Sequence, residues 1–541
     1  MGKFLGLRGR GLDLAVGSLA GCVFLLFGYN QGVMSGILTM PDFLRTFPII
    51  DPAAGSTPED RSARSTYQGI SVASYTLGCV FGAVITIFIG NPLGRKKMIV
   101  LGTATMFVGA VLQASAITLP HFVVGRVITG IGNGGNTSTI PTWQAETTRA
   151  HKRGKMVLID GALITCGIMI SYWLDYGLSF ASGSVAWRFP LALQLVFCVV
   201  ILASVPFLPE SPRWLVFQGR HTEAKEVLTA LYDVEITHHK VESEFLAIQE
   251  TVTEMSKGKF SDLYTMGRGR NLHRTALGYS IQVFQQLSGI NLITFYAAVI
   301  YKQLGMSDSI SRLLAALNGT EYALASIPAI FLVERVGRRK LLLFGAIGQA
   351  VTMALLAGVN SRSDKTPFQI ANIVFLFVFN TFFALGWLGT SWLYPAEIVP
   401  LRIRAPANAL STSSNYIFNF IVVMITPVLF NEAGYRTYII FAIINALIIP
   451  CVYFFFPETA YRSLEEMDSI FHKVDGWKGI FAVVKQAKIE PRLYGQDGEL
   501  LVIQDPNDER HRRAHDDSDT PSPGIDDDTK VGEVITHTKA V

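Results

Sequence analysis

Residues 67–118 read YQGISVASYTLGCVFGAVITIFIGNPLGRKKMIVLGTATMFVGAVLQASAIT. Two apolar runs, 67–90 and 98–118, flank a loop whose Arg95, Lys96 and Lys97 form a basic cluster. A helix needs roughly 20 apolar residues to cross the hydrocarbon core of a bilayer. The stretch therefore reads as two spans joined by a short basic loop. Working outward, the same kind of run occurs at 12–38, 121–144, 156–178, 187–208, 273–301, 310–333, 341–360, 368–394, 407–430 and 436–456. The 541 residues are 50% hydrophobic and only 16% charged, too little charge to cover a soluble protein of this size. The expectation is an all-α membrane protein with twelve transmembrane helices.

The first run follows Lys3, Arg8 and Arg10, as in a secretory signal. It lacks a small-residue cleavage site and extends through Asn30, Gln31 and Met34, so it reads as helix 1. Basic clusters recur at Arg149 to Lys155, Arg335 to Lys340, and Arg402 with Arg404, always in even-to-odd loops. The opposite loop 39–66 carries Asp42, Asp51, Glu59 and Asp60. The positive-inside rule then puts both termini in the cytosol. Cys22, Cys79, Cys166, Cys198 and Cys451 all fall within spans, which argues against a disulfide framework or a metal site.

Short motifs recur in order about 250 residues apart. Gly94-Arg95-Lys96 returns as Gly337-Arg338-Arg339, Glu146 with Arg153 as Glu397 with Arg404, and Pro209-Glu210 as Pro457-Glu458. Three echoes in register imply a duplicated six-helix unit. The expected parts are an N-terminus 1–11, a bundle 12–208, a helical linker 209–272, a bundle 273–457 and a polar tail 458–541 that is disordered beyond about residue 500.

The ordered set FGYNQGVMSG (27–36), NPLGRKK (91–97), GRVITGIGNG (125–134), PTWQAETTRAHKRG (141–154), PESPRWL (209–215), QQLSGIN (285–291), VERVGRRK (333–340) and PETAYRSLEE (457–466) resembles the signatures of the sugar porters of the major facilitator superfamily. The likeness covers residues 12–470. DGALITCGIMISYWLDYGLSF (160–180) and ALSTSSNYIFNF (409–420) look like the fungal branch, which holds proton-coupled glycerol symporters alongside monosaccharide carriers. The resemblance implies two pseudo-symmetric bundles and carriage of a sugar or polyol.

A sugar or polyol presents hydroxyls that both donate and accept, with apolar C–H faces, so its site calls for amides and an aromatic platform. Gln285, Gln286 and Asn291 put three amides within two turns of helix 7. Trp392, Asn415 and Asn419 add to them from helices 10 and 11, the two asparagines sharing a face at i, i+4. These match the family's sugar-binding positions, and Phe295 and Tyr296 resemble its extracellular gate. The plainer reading of such residues is helix–helix glue and interface packing. Two departures bear on selectivity. Gly161, preceded by Asp160, stands where hexose carriers usually hold a Gln, and GWLGTSW (386–392) replaces the Pro-rich approach to the helix-10 Trp.

Arg95, Glu146, Arg153, Glu210, Arg338, Glu397 and Arg404 fall at cytosolic helix ends, where the family builds salt bridges that latch the outward-open state. Their plainer role is to set topology. Arg126 lies inside helix 4, where a charge costs about 2.5–3.5 kcal/mol on insertion scales and needs a partner or water. Proton-coupled relatives supply a helix-1 aspartate; this chain has Asn30, which cannot titrate. If coupling exists, the intramembrane candidates are Asp160, Asp175 and Glu321, with Asp160 first and Glu321 second; for Asp175, near the outer end of helix 5, the plainer reading is a solvated carboxylate.

Two other classes compete with a carrier. A transporter-like nutrient sensor would have a long signalling tail, and the residues after Pro457 are few for that. An enzyme would need a nucleophile–base pair, metal-ligand spacing or phosphate loop, and GIGNGG in helix 4 follows no strand. No cofactor and no nucleic acid are expected. The expected partners are a small sugar or polyol, the lipid bilayer and, in the coupled reading, protons. The expected place is the plasma membrane.

Overall fold

The computed structural model describes residues 3–148, 153–256, 258–362, 365–474, 476 and 479–491. Twelve long helical elements run through them, numbered here in chain order: α1 Gly9–Ile37, α2 Pro58–Leu93, α3 Arg95–Ala114, α4 Leu119–Thr147, α5 Arg153–Leu178, α6 Val185–Ser204, α7 Asn271–Leu287 with Ile290–Gln303, α8 Asp308–Val336, α9 Arg338–Asn360, α10 Thr366–Phe383 continued by Ala384–Leu388 and Thr390–Ile398, α11 Arg404–Ala433, and α12 Arg436–Phe455. Eleven of them are long and apolar enough to cross a membrane. Exposed side chains such as Phe88, Val108, Val196, Leu324, Phe331 and Leu447 form the apolar exterior that lipid requires.

The exception is α4, which has the length but not the apolarity, and its packing explains why. A Cβ on Gly130 would stand 2.9 Å from Gly78 Cα, and one on Gly134 2.8 Å from Cys79 Cα. Small residues let α4 lie directly against the α2 backbone, while Gly132 does the same against Gly102 of α3. A helix enclosed by its neighbours need not be apolar.

Packing follows the repeat. In the first half α4 packs on α2 and α3, α3 on α6, and α1 on α5; in the second α10 packs on α8 and α9, α9 on α12, and α7 on α11. The halves meet through two equivalent seams, α2 with α11 and α5 with α8, and through α1 with α7. The result is an all-α membrane protein of two pseudo-symmetric six-helix bundles. Three short helices, Pro212–Phe217, His221–Tyr232 and His239–Ser256, lie between the bundles in sequence. The polar tail beyond Pro491 and the basic residues 149–152 lie outside the described residues.

Two spans that read as continuous in sequence are interrupted. Gly289, at φ 96°, splits α7 in a backbone region that favours glycine. In α10, Ala384–Leu388 forms a π-helical turn, which frees carbonyls from the regular ladder.

Candidate functional site

Both interruptions face the same amide cluster. Gln285 Nε2 donates to the carbonyls of Trp387 at 3.2 Å and Leu388 at 3.3 Å, both in the π turn. Asn415 Nδ2 donates to Gln282 Oε1 at 2.6 Å and to Gln285 Oε1 at 2.9 Å, tying α11 to α7. Gln286 Nε2 donates to Gln285 Oε1 at 3.3 Å, and Asn291 Nδ2 donates to Gln286 Oε1. Gln282 Nε2 completes the chain on the Ser391 carbonyl at 3.0 Å. All five amides are buried. Each can exchange a neighbour's amide for a hydroxyl at small net cost, since hydrogen bonds lost and gained are nearly equal.

Four of the six sequence-named binding residues are thus joined. Asn419 is buried one turn from Asn415, and its carbonyl oxygen has no partner among the described residues. Trp392 is only partly buried, whereas Trp387, whose carbonyl meets Gln285, is fully enclosed. Gln282 was not singled out from sequence, although it lies one helical turn before Gln285 and Gln286 and so shares their face.

Phe295 and Tyr296 are fully buried just beyond the cluster. Tyr296 departs from helical geometry, at φ −128° and ψ 17°, and its hydroxyl donates to Val423 O of α11 at 2.8 Å. The Ala298 N–H donates to Ser35 Oγ of α1 at 3.1 Å, and Tyr172 of α5 donates to Thr294 O. The second piece of α7 is therefore pinned to three helices, and this side of the cluster is closed.

The intramembrane acids separate by what they face. Asp160 is buried and accepts from Gln144 of α4 at 3.5 Å, within its own half. Gly161 turns the other way: a Cβ there would stand 3.6 Å from Leu388 Cγ of the π turn. Glu321 is half-buried and accepts from Thr381 Oγ1 of α10 at 2.5 Å, again within one half. Asp175 corrects the sequence reading, because its side chain is 0% exposed rather than solvated. It lies against Gly36 of α1 and attracts Arg312 of α8, whose Nη1 donates to Thr39 O and Oγ1 at 3.2 and 3.0 Å. Asn30 donates to Leu26 O of its own helix at 3.1 Å, whereas Arg126 donates to Val72 O of α2 at 3.1 Å and lies 4.9 Å from the Tyr75 ring centre. The two are not hydrogen-bonded to each other.

At the end bearing the basic motifs the charges form one device, built twice. Gly94 and Gly337, at φ 84° and 96°, precede α3 and α9. The next residue, Arg95 or Arg338, forks onto Glu146 or Glu397: Arg95 Nε and Nη2 at 3.0 and 3.1 Å, Arg338 Nη2 at 2.7 Å. Glu210 accepts from the backbone N–H of Arg95 and Lys96, and Glu458 from those of Arg338 and Arg339, each a carboxylate at a helix N-terminus. Trp143 Nε1 donates to Pro209 O and Tyr394 Oη to Pro457 O, both at 3.0 Å. The partners of Glu146 and Glu397 are thus Arg95 and Arg338, because the turn at each glycine delivers the arginine to the neighbouring helix end. Arg404 Nη2 donates to Val399 O at 3.2 Å, and the Arg153 side chain lies outside the described residues. Glu458 was not singled out from sequence, though the Pro-Glu echo marks it as the counterpart of Glu210.

Comparison with known proteins places this geometry. The profile of the family described as sugar (and other) transporter matches residues 16–471. The sugar transporter STL1 of Saccharomyces cerevisiae is 40% identical over 487 residues, 87% of this chain and 84% of its own. The major facilitator superfamily transporter mfsA of Aspergillus fumigatus is 39% identical, over 86% of this chain and 88% of its own. Among solved structures, the proton:xylose symporter XylE of E. coli, bound to 6-bromo-6-deoxy-D-glucose, superposes with a TM-score of 0.72 at 25% identity, covering 85% of this chain and 99% of its own.

Proposed function

The chain belongs to the family of sugar (and other) transporters, and from that premise we propose that it carries a monosaccharide or polyol across the membrane by alternating access. The observation that carries the reading is the amide chain Gln282, Gln285, Gln286, Asn291 and Asn415, spanning α7 and α11 at the break at Gly289. A solute's hydroxyls replace the mutual amide bonds, and Asn419 and Trp392 complete the binding surface. Phe295 and Tyr296 gate it, and the doubled Arg–Glu device is the latch on the other side. The basic end is cytosolic, as are both termini, with bundles at 12–208 and 273–457 hinged through the linker 209–272, in the plasma membrane.

Asn30 cannot titrate, so the favoured mode is equilibration without concentration. A second reading, proton symport, draws on the likeness to a proton:xylose symporter and on the acids Asp160, Asp175 and Glu321. Purified protein in liposomes, given labelled glycerol, glucose, xylose and sorbitol with and without an imposed proton gradient, tests both. Saturable uptake of at least one solute is expected, with a plateau indifferent to the gradient. Accumulation above equilibrium that disappears in Asp160→Asn, Asp175→Asn or Glu321→Gln would establish symport instead, and no uptake of any of the four would remove the sugar reading.

A further inference from the structure

We infer that the helix Gly479–Ile489, beyond the last span, is a membrane-surface helix whose exposed face binds anionic phospholipid headgroups at the basic end. Its sequence, GIFAVVKQAKI, carries no acid. Val483, Val484 and Ala487 are buried, and the helix packs against α12. Two arginines fix its ends. Arg270 Nη1 donates to Val474 O at 2.8 Å just ahead of it, and a Cβ on Gly479 would collide with the same guanidinium. Arg462 Nη2 donates to the carbonyls of Ala487 and Glu490 at 2.7 and 2.8 Å, closing the last turn. The outward face is therefore held in one orientation by groups that do not belong to it.

That face is Phe481, Lys485, Lys488 and Ile489, spaced i, i+4, i+7 and i+8. Phe481 is 56% exposed and Ile489 63%. Single exposed apolar side chains need no explanation, but the position of these two supplies one. The Phe481 ring lies 5.0 Å from that of Phe455, at the end of α12, and the neighbouring Tyr453 and Phe454 are exposed on the lipid-facing exterior. Arg339, at the start of α9, donates to Tyr453 O at 2.6 Å, so this is the basic end. The apolar exterior of α12 thus continues onto the helix. From there Phe481 and Ile489 enter the headgroup boundary, and the lysines between them reach the phosphates. Neither Lys485 nor Lys488 forms an ion pair among the described residues, and the nearest acid in sequence, Glu490, already accepts from Lys473 and Gln486. The basic end is cytosolic in the proposed orientation, and the cytosolic leaflet is the anionic one. An acidic protein would meet the same lysines, but it would give no reason for apolar side chains to adjoin the hydrocarbon.

The test uses the full chain in nanodiscs, without the five native cysteines and with Ile489→Cys carrying a fluorophore. Lipid bearing a headgroup nitroxide quenches the fluorophore only where the helix lies on the membrane surface. Discs of phosphatidylcholine are compared with discs that also contain phosphatidylserine. Quenching should be about threefold or more stronger with phosphatidylserine, and about 1 M salt should remove the difference. Lys485→Gln with Lys488→Gln should reduce the docked-to-undocked ratio in phosphatidylserine discs by about tenfold, while Lys485→Arg with Lys488→Arg keeps it. Both lysines are exposed, so neither pair of changes touches the packed face. Equal quenching in both discs, unchanged by the glutamines, would leave an apolar anchor and overturn the headgroup site. No quenching in either disc puts the face in water and overturns the inference. Binding of soluble polyglutamate that the glutamines abolish would then make it a protein-docking face. None of these outcomes involves solute uptake, so failure here leaves the carrier reading standing.

Discussion

At the basic end the two halves of the molecule are near copies; halfway through the membrane they are not. Arg95 and Glu146 repeat as Arg338 and Glu397, the carboxylates of Glu210 and Glu458 cap equivalent helices, and even Trp143 and Tyr394 bond equivalent proline carbonyls. In the middle, the second half carries amides interlocked between α7 and α11, whereas the buried amides of the first half bond other groups, Asn30 its own helix, Asn133 Cys79 and Asn136 Thr103, and Arg126 bonds a backbone carbonyl. The contrast separates two demands on one duplicated unit. Closing one end of a two-part carrier is a mechanical task that both halves share, so the repeat is preserved. Recognising an asymmetric solute gains nothing from symmetry, so the middle has diverged.

The comparison breaks most readily at the latch. Glu397→Gln leaves the largely buried Arg338 guanidinium without its counter-charge, and removing one partner of a buried pair costs about 3–5 kcal/mol. That cost falls on the state in which the basic end is closed, so the protein should shift toward opening there. Net uptake should fall by about tenfold or more, while labelling of a single cysteine facing that cavity accelerates, in a background without the five native cysteines. If the latch is one device built twice, Glu146→Gln must do the same to a similar degree. A large effect in one half only would mean that the copies share geometry but not function.

The opposite end provides the next test. Arg312 of α8 bonds Thr39 at the end of α1, across the seam between the halves, and Asp175 of α5 lies buried against Gly36 of the same α1. Unlike the latch, this contact has no duplicate, so one substitution should suffice to loosen it. Asp175→Asn or Arg312→Gln should open this end and slow uptake by about threefold to tenfold, with a cysteine at Thr39 labelling faster. Unchanged labelling would mean that the pinned second piece of α7 closes the end unaided.

Much of this was legible in the sequence, for reasons that also mark its limits. Apolar runs of fixed length reveal spans because lipid tolerates little else, but 121–144 was read as one more such run although α4 is less apolar than the other spans. The Gly-Arg and Pro-Glu echoes exposed the duplication, but not that Arg95 meets Glu146, since the turn at Gly94 makes that pairing. Gln285, Gln286 and Asn291 stood out as a cluster, whereas the π turn that receives Gln285 has no sequence signature. The solvated alternative for Asp175 fails because nearness to a helix end says nothing about a neighbouring helix covering it.

Within the amide chain the effects should be smaller and graded. Gln286→Ala and Asn291→Ala each remove a bond to a neutral hydroxyl worth about 0.5–1.5 kcal/mol, so apparent affinity should fall by about twofold to tenfold with insertion intact. Gln282→Ala should act less directly, by releasing Asn415 from one of its two acceptors. Uptake kinetics identical to wild type in all three would move the site away from α7. An effect confined to maximal rate would recast the chain as helix glue.

The smallest effect is expected at Glu210, and its sign can be worked out. Its carboxyl accepts from the backbone N–H groups of Ser211, Lys96 and Arg95, which favour the charged form, yet burial outweighs them and pushes it above the ordinary carboxylate value. A carboxyl raised on folding contributes its stability below the unfolded pKa and loses it as pH rises through the folded one. Glu210→Gln keeps a carbonyl oxygen for one or two of those N–H groups and removes the cost of burying charge. Relative to wild type, the variant should therefore gain stability as pH rises from about 5 to about 8, a change in Tm of about 1–3 °C in nanodiscs. Glu397→Gln, which abandons an arginine, should instead lose stability at neutral pH. A clear loss of Tm in Glu210→Gln at about pH 8 would show that the charge itself holds the N-terminus of α3. The two glutamates would then belong to one class after all.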